Sequence, residues 1–512
     1  MATSTQTSSG TTPPTETPGR GAAVVAGTVA ALVGLAVTEV VARVLGASAS
    51  PVVATGEAVI AAAPGALARP AIDLLGTADK PALVSAVVVV VVLLGAVLGT
   101  QVVRRPGWAA AGFIAVAVAG AVAVVSRPDS GQLDAVSPLV GGIITVTVAR
   151  WLLRPRTEQA DGENRRRFLV EVAVVVAGAV VLGGASRVVG AGRRAAEGAR
   201  STLRLPVRPA VVPAGADLGV DGVSPFLTPS SEFYRIDTAL STPSIDPAEW
   251  SLRIHGMVDR EITLTYQDLL DRGLSDAWVT LCCVSNEVGG DLIGNTVWSG
   301  VPIAGILAEA GVQRGADALL STSEDGWTCG TPIEALTDGR DALLAVAMDG
   351  EPLPIEHGFP VRQVVPGLYG YVSATKWVVD WEVTRFDDID AYWTQRGWGE
   401  KGPVKTQSRI DTPRSDVDAG TVAVAGVAWA QHTGIEKVEI KVGDGRWQQA
   451  RLGRVPNVDT WVQWVVEWDA EPGDHVIQVR ATDRSGYTQT SERADVLPDG
   501  ATGWDSVSIT VR

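Results

Sequence analysis

The chain has 512 residues, enough for several domains, and 46% of them are hydrophobic. Against 57 acidic side chains stand 42 basic ones, and the net charge of −15 excludes a nucleic-acid partner, which needs a basic face. Three cysteines, Cys282, Cys283 and Cys329, exclude a disulfide framework; with no CxxC pair, zinc and iron–sulfur motifs are excluded too.

Residues 1–20 are rich in Ser, Thr, Pro and Gly and read as a disordered tail. Residues 21–190 read as an α-helical transmembrane domain of about five helices. A bilayer span takes roughly 20 apolar residues. Runs of that kind lie at Ala22–Gly46, Ala82–Val103, Trp108–Val125, Val136–Leu153 and Phe168–Val189. Val52–Leu75, broken by Pro64 and Pro70, reads as an external or interfacial segment, with a sixth span as the alternative. Arg104 and Arg105 follow the second run, and Arg154, Arg156, Arg165, Arg166 and Arg167 follow the fourth. The remaining loops carry mainly Arg69, Lys80 and Arg127. The positive-inside rule then puts the N-terminus in the cytoplasm and everything after the fifth run outside.

Arg165-Arg166-Arg167-Phe168-Leu169 before an apolar run also resembles a twin-arginine export signal; a plain orienting cluster is the alternative. All four histidines, His255, His357, His432 and His475, lie beyond these runs, so no haem is expected in them. The runs read as an anchor, with the lipid bilayer as partner. Residues 191–230 have the Pro, Gly and Arg content of a linker.

Residues 231–405 read as an α+β domain. Strands are expected at Trp250–Val258, Trp278–Leu281, Leu343–Ala347 and Val361–Val365, with helices at Tyr266–Leu270, after Thr263 or Thr265, and at Val301–Ala310. The chemical centre is Trp278–Pro302, WVTLCCVSNEVGGDLIGNTVWSGVP. Cys282 and Cys283 end its short apolar run, and Ser285, Asn286, Gly289, Gly290, Gly294 and Asn295 follow as a polar, glycine-rich loop. A thiol at the mouth of a strand, beside backbone that can approach a ligand closely, suits a soft metal or a nucleophile. Two buried packing cysteines are the bland alternative. A thiol–disulfide couple is disfavoured, because adjacent cysteines close a strained ring.

The segments SEFYRIDTAL, TLCCVSN, GGDLIGN, WSGVPI and AMDGEPLPIEHGFPVRQVVPGLYGYVSATKW resemble, in order and spacing, the sulfite oxidase family of molybdopterin-dependent oxidoreductases. The resemblance runs from about Phe233 to Arg512 and leaves out the apolar third. It implies Mo-molybdopterin, one per chain. Cys283 takes the place of the metal's cysteine ligand, and Cys282 falls on a variable position. His357 and Arg362 match residues that hold the pterin's phosphate end, and Ser373, Ala374, Thr375 and Lys376 fall in the segment that wraps it. Tyr234, Arg235 and Asp325 match further pterin contacts, and Trp298 and Trp398 match substrate-pocket positions, Trp398 standing where sulfite oxidases have a tyrosine. The glycine-rich loop then shapes the pocket wall.

Where sulfite oxidases carry substrate-binding arginines, this chain has Asp237 and Val288. Charge-assisted hydrogen bonds are worth about 1.5–3 kcal/mol each; losing two weakens anion binding by roughly two to four powers of ten. The expected activity is therefore two-electron oxygen-atom transfer on a small sulfoxide-like or other oxo substrate. The alternatives are a sulfite oxidase proper and an anchored binding module that has lost its cofactor. A separate electron-transfer partner is expected.

Residues 406–512 alternate like strands at Val422/Val424, Val427/Trp429, Val438/Ile440/Val442, Trp461–Trp468, Ile477/Val479/Ala481 and Val507/Ile509/Val511. This spacing argues an all-β immunoglobulin-like sandwich. The family's trailing domain commonly dimerises, so a homodimer through this region is the implied assembly. Trp429, Trp447, Trp461, Trp464, Trp468 and Trp504 read as core packing, with an interface as the alternative.

Overall fold

Uninterrupted Ala, Val and Leu leave the chain no side-chain partners for its peptide groups, so the first third satisfies them within helices. The computed structural model describes residues 15–16, 19–45, 50–62, 79–127, 130–154, 156–157, 166–174 and 191–512. It divides into two units, Met1–Ala191 and Gly192–Arg512. The first contains α1 (Arg20–Val44), α2 (Pro51–Ala62), α3 (Asp79–Val102), α4 (Pro106–Val125) and α5 (Val136–Leu152). Among the described residues, 4 helical stretches are long and apolar enough to cross a membrane: Arg20–Val44, Lys80–Val102, Pro106–Val125 and Leu133–Leu152. They coincide with the first four expected spans.

With 12 residues, α2 is too short to cross a hydrocarbon core of about 30 Å. Residues 166–174 are helical. The rest of the expected fifth span, Arg165 of the export-like motif, and Pro64 and Pro70 lie outside the described residues. Where α1 crosses α3 the backbones touch directly: a side chain at Gly27 would overlap Gly95 and Gly99.

The second unit opens with α6 (Ala191–Thr202). Residues 203–230 differ from the expected linker, because they are laid onto the folded unit. Ala216 and Phe226 are fully buried, the Arg454 amide donates to Gly215 O at 2.8 Å, and the Thr228 amide donates to Asn295 O at 2.7 Å. Pro and Gly content predicted the lack of regular structure; the apolar Leu203, Leu205, Val212 and Phe226 still found a core.

The α+β part follows as β1 (Ser251–Gly256), β2 (Ile262–Thr265), α7 (Tyr266–Asp271), β3 (Ser275–Cys282), β4 (Ile293–Pro302), α8 (Ile303–Ala310), β5 (Ala318–Ser323), β6 (Thr328–Pro332), α9 (Ile333–Thr337), β7 (Leu343–Met348), β8 (Glu351–Pro352), β9 (Arg362–Val364) and β10 (Val378–Thr384). Thr265 caps α7 by accepting from the Asp268 amide. One sheet runs β8-β7-β4-β3 with β9 also paired to β7; the other runs β2-β1-β10-β5-β6.

Gly294 and Asn295, expected in a loop, instead sit inside β4, opposite Leu281 and Thr280. Their chemistry misled because it serves burial. A Cβ on Gly294 would come within 2.8 Å of the Phe233 ring. Fully buried Asn295 accepts from Thr280 Oγ1 at 2.9 Å and donates from Nδ2 to Phe226 O at 2.8 Å.

The β-rich C-terminal region comprises β11 (Gln407–Thr412), β12 (Gly420–Trp429), β13 (Ile435–Val442), β14 (Gln448–Gln449), β15 (Arg451–Leu452), β16 (Val462–Ala470), β17 (Gly473–Asp483) and β18 (Asp505–Val511). Two antiparallel sheets, β11-β12-β16-β15 and β14-β13-β17-β18, share a core around Val424, Ile440, Trp464 and Val479. Trp429, Trp461, Trp464 and Trp468 are buried, as core packing requires. Trp447 and Trp504 are half-buried and meet edge-on at 5.0 Å, with the Arg480 guanidinium 4.1 Å from the Trp447 ring centre.

Asn295→Ala strips partners from buried Thr280 and Phe226 and should cost about 2–4 kcal/mol in chemical unfolding of the full chain. A change within 0.5 kcal/mol would show that the strap 203–230 is held by other contacts (about the size of an ordinary surface substitution).

Candidate active site

Successive side chains on a strand point to opposite faces, and this separates the two cysteines. Cys282, the last residue of β3, joins the buried cluster with Val284, Ile293 and Trp429. Cys283 lines a cleft that encloses about 880 Å³ of atom-free space, part of it open to solvent. Burial pushes the Cys283 thiol up, and hydrogen bonds from the Ser285 amide and hydroxyl pull it back. A bound cation would be needed to hold it as thiolate.

Arg362, at the start of β9, brings a guanidinium into this cleft. The residue is 5% exposed, and burial lowers its pKa to about 10. Nη1 donates to His357 O at 3.1 Å, Nε has no partner, and the guanidinium carbon lies 4.8 Å from the Trp298 ring centre. No carboxylate pairs with Arg362 among the described residues. Lys376 Nζ donates to Asp237 Oδ2 at 2.7 Å and to Glu356 O at 3.1 Å, and burial lowers its pKa to about 8, against the pull of Asp237. His357 is buried between them, its pKa lowered to about 4 by burial and then by the Arg362 and Lys376 charges. At neutral pH the imidazole is uncharged. An unpartnered buried guanidinium nitrogen, a lysine and an imidazole facing one cleft form a ready anion site.

The cleft is also lined by aromatic side chains, among them Trp327, Tyr371, Trp393 and Trp398. Trp398 lies 5.9 Å from Tyr371 and 6.1 Å from Trp393, ring centre to ring centre. Arg362 and Lys376 are the full cations among the described residues lining it.

Residues 239–393 match the oxidoreductase molybdopterin binding domain. An uncharacterised oxidoreductase, YuiH of Bacillus subtilis (strain 168), is 33% identical over 157 residues, which cover 31% of this chain and 76% of that protein. This chain belongs to the sulfite oxidase family of molybdopterin oxidoreductases. Within that family, human mitochondrial sulfite oxidase is 28% identical over 280 residues, 44% of this chain and 49% of the human one. The chain thus spans about half of that relative. Among solved structures, the sulfane dehydrogenase SoxCD from Paracoccus pantotrophus shares the fold, with a TM-score of 0.50 at 22% identity over 60% of this chain and 90% of that one. Membership makes the chain an oxidoreductase and implies Mo-molybdopterin as its cofactor. The cleft fits such a group: a sulfur donor at Cys283 and an anion site at Arg362 are what a metal and a phosphate require.

Of the residues expected at the site of this sulfite oxidase-family chain, Cys283, Tyr234, Asp325, His357, Arg362, Ala374, Lys376 and Trp398 line the cleft together. The other four do not line it. Trp298 is fully buried in β4, its ring centre 4.8 Å from the Arg362 guanidinium carbon. Ser373 spends its hydroxyl on Leu368 O and Tyr369 O, closing a local turn. Thr375 is buried beside Cys329. Arg235 binds Asp237 at 2.9 Å and Thr242 at 3.1 Å.

Val288, expected beside the substrate, is half-buried and does not line the cleft. Asp237 does line it, but its carboxylate is engaged by Lys376 and Arg235. Among the cleft residues that the sequence reading missed are Trp327, Tyr371, Trp377 and Trp393. The aromatic density of AYWTQRGW, Ala391–Trp398, in a stretch without strand or helix periodicity was the available signal.

Because the folded pKa of His357 is depressed to about 4 from 6.5, the stability of cofactor-free protein should be full above pH 6.5 and fall as pH drops toward 4. His357→Gln should flatten that part of the stability difference curve. Equal slopes for the two proteins in urea unfolding across this window would contradict a buried neutral imidazole.

Proposed function

We propose that this chain is a membrane-anchored molybdopterin oxidoreductase that exchanges an oxygen atom with a small neutral substrate, sulfoxide-like rather than sulfite. When bound, the cofactor supplies two-electron oxygen-atom chemistry. The chain's share is to hold and orient it and to select what reaches it. Cys283 would ligate the metal. Arg362, Lys376 and neutral His357 would hold the phosphate end, with Tyr234, Asp325 and the backbone of Ala374 as further contacts.

The observation that carries the substrate reading is the distribution of charge in the cleft. Its two full cations are Arg362, which reaches toward His357 and Ala374, and Lys376, which is bound to Asp237. Trp398, Trp393 and Tyr371 present rings where an anionic substrate would need donors. An anion moved against aromatic walls loses hydration with no compensating hydrogen bond, whereas a neutral oxo compound with apolar substituents gains contact area.

Anchoring rests on the four apolar helices, and the arginines at 104, 105, 154, 156, 166 and 167 support a cytoplasmic N-terminus with the family domain on the outer side. We divide that part into a cofactor domain, 231–405, and an immunoglobulin-like domain, 406–512, supported by its two four-stranded sheets around one core. A homodimer through 406–512 and a separate electron-transfer partner complete the reading; no histidine in the apolar runs is available to ligate haem.

Steady-state assays of Mo-loaded protein with artificial electron carriers test it. The kcat/KM for a neutral dialkyl or aryl sulfoxide should exceed that for sulfite by at least about tenfold, the lower end of one lost charge-assisted contact. Trp398→Arg should narrow the gap. A micromolar KM for sulfite would make the chain a sulfite oxidase proper.

A further inference from the structure

We propose that Arg409 and Asp505, both from the C-terminal β-rich region, are positioning residues that fix the loop carrying Cys283. The proposal rests on the reading of Cys283 as the metal ligand. The loop leaves the sheet after β3 and rejoins it at β4. Internally it is closed by the Cys283 amide on Leu292 O at 2.9 Å, the Asn286 amide on Cys283 O at 3.1 Å, and the Leu292 amide on Asn286 Oδ1 at 2.9 Å. These bonds give the loop a shape but do not anchor its tip.

The anchors come from more than a hundred positions along the chain. The Arg409 side chain is 8% exposed, and all its nitrogens are used: Nη1 donates to Gly290 O at 2.7 Å, Nη2 to Ser224 Oγ at 2.8 Å and Nε to Asp411 Oδ1 at 2.6 Å. Asp411 balances the charge, so the guanidinium can remain buried while it grips a carbonyl of the loop. Asp505 is 4% exposed; it accepts the Ile410 amide on Oδ2 and the Ser506 amide on Oδ1, each at 2.9 Å. Gly289 lies over this carboxylate with φ +80°, and a side chain there would overlap Asp505 Oδ1. Only glycine combines that backbone with that approach.

Gly290 is therefore held through its carbonyl by Arg409, and Gly289 packs against Asp505, while Cys283 is held by the end of β3. A sulfur seated at one end of a loop that is fixed at the other has little freedom to follow a metal away from the cleft. The C-terminal region accordingly acts on the cofactor ligand, in addition to any part it has in assembly.

The test uses the full chain with Cys282→Ala and Cys329→Ala, so that alkylation by iodoacetamide reads Cys283 alone, in cofactor-free protein. Arg409→Ala should raise the alkylation rate by about tenfold or more, the effect of one lost charge-assisted bond on local opening. Arg409→Lys should restore part of the protection. Gly289→Ala, which leaves Arg409 in place, should act in the same direction and keeps the proposal testable if Arg409→Ala does not fold. Arg480→Ala, in the same region but bound to Glu439, is the control and should leave the rate unchanged. In Mo-loaded chain with the natural cysteines, Arg409→Ala should shift the visible absorption of the thiolate-bound metal. Unchanged alkylation in both loop variants, or an equal rise in Arg480→Ala, would overturn the proposal. Because the thiol readout needs no metal, it is independent of whether Cys283 proves to be the ligand.

Discussion

A buried guanidinium with no carboxylate beside it constrains everything around the cleft. Arg362 is held by two carbonyls and the face of Trp298, and its Nε has no partner among the described residues. Buried charges of this kind are strongly destabilising unless paired. The surrounding choices follow from that charge. His357 is kept neutral by burial and, secondarily, by this charge, the Trp298 ring lies 4.8 Å from the guanidinium carbon, and Asp237 pairs with Lys376. Among the described residues the structure thus keeps a cation short of one anion, and in the function proposed above the phosphate end of the cofactor would supply it.

Cys283 answers the other end of the same requirement. Strand geometry alone directs it into the cleft and turns Cys282 into the core, so two adjacent thiols have unlike surroundings. Beyond them, the polar run from Ser285 to Asn295 splits into two parts with different work. Its first half is a loop gripped from the C-terminal region, and its last two residues are strand positions, of which Asn295 binds the 203–230 strap.

Much of this was legible in sequence where one physical signal dominated. Apolar run length located four helices, and alternation located the longer strands of the C-terminal region apart from β11, whose Ser, Arg and Asp hide its strand character; the two-residue β14 and β15 are too short to alternate. The spacing of Cys283, His357, Arg362 and Lys376 brought together residues that do share one cleft. The failures came where composition was taken for environment. Gly294 and Asn295 looked like a loop because small and amide side chains are also what a crowded strand needs. Residues 203–230 looked like a tether because proline and glycine signal irregular backbone but not exposure. Val288 was matched by position to a substrate contact, yet it is not among the residues that line the cleft, and the aromatic wall from Tyr371 to Trp398 had no spacing rule to reveal it.

The central claim is that Cys283, and not its neighbour, joins the protein to the metal while the anion site holds the cofactor's other end. X-ray absorption at the molybdenum edge of loaded protein tests it most directly. The account predicts that Cys283→Ser loses a sulfur neighbour of the metal and that Cys282→Ala keeps the unmodified spectrum. A sulfur shell unchanged in Cys283→Ser, or depleted in Cys282→Ala, would contradict it.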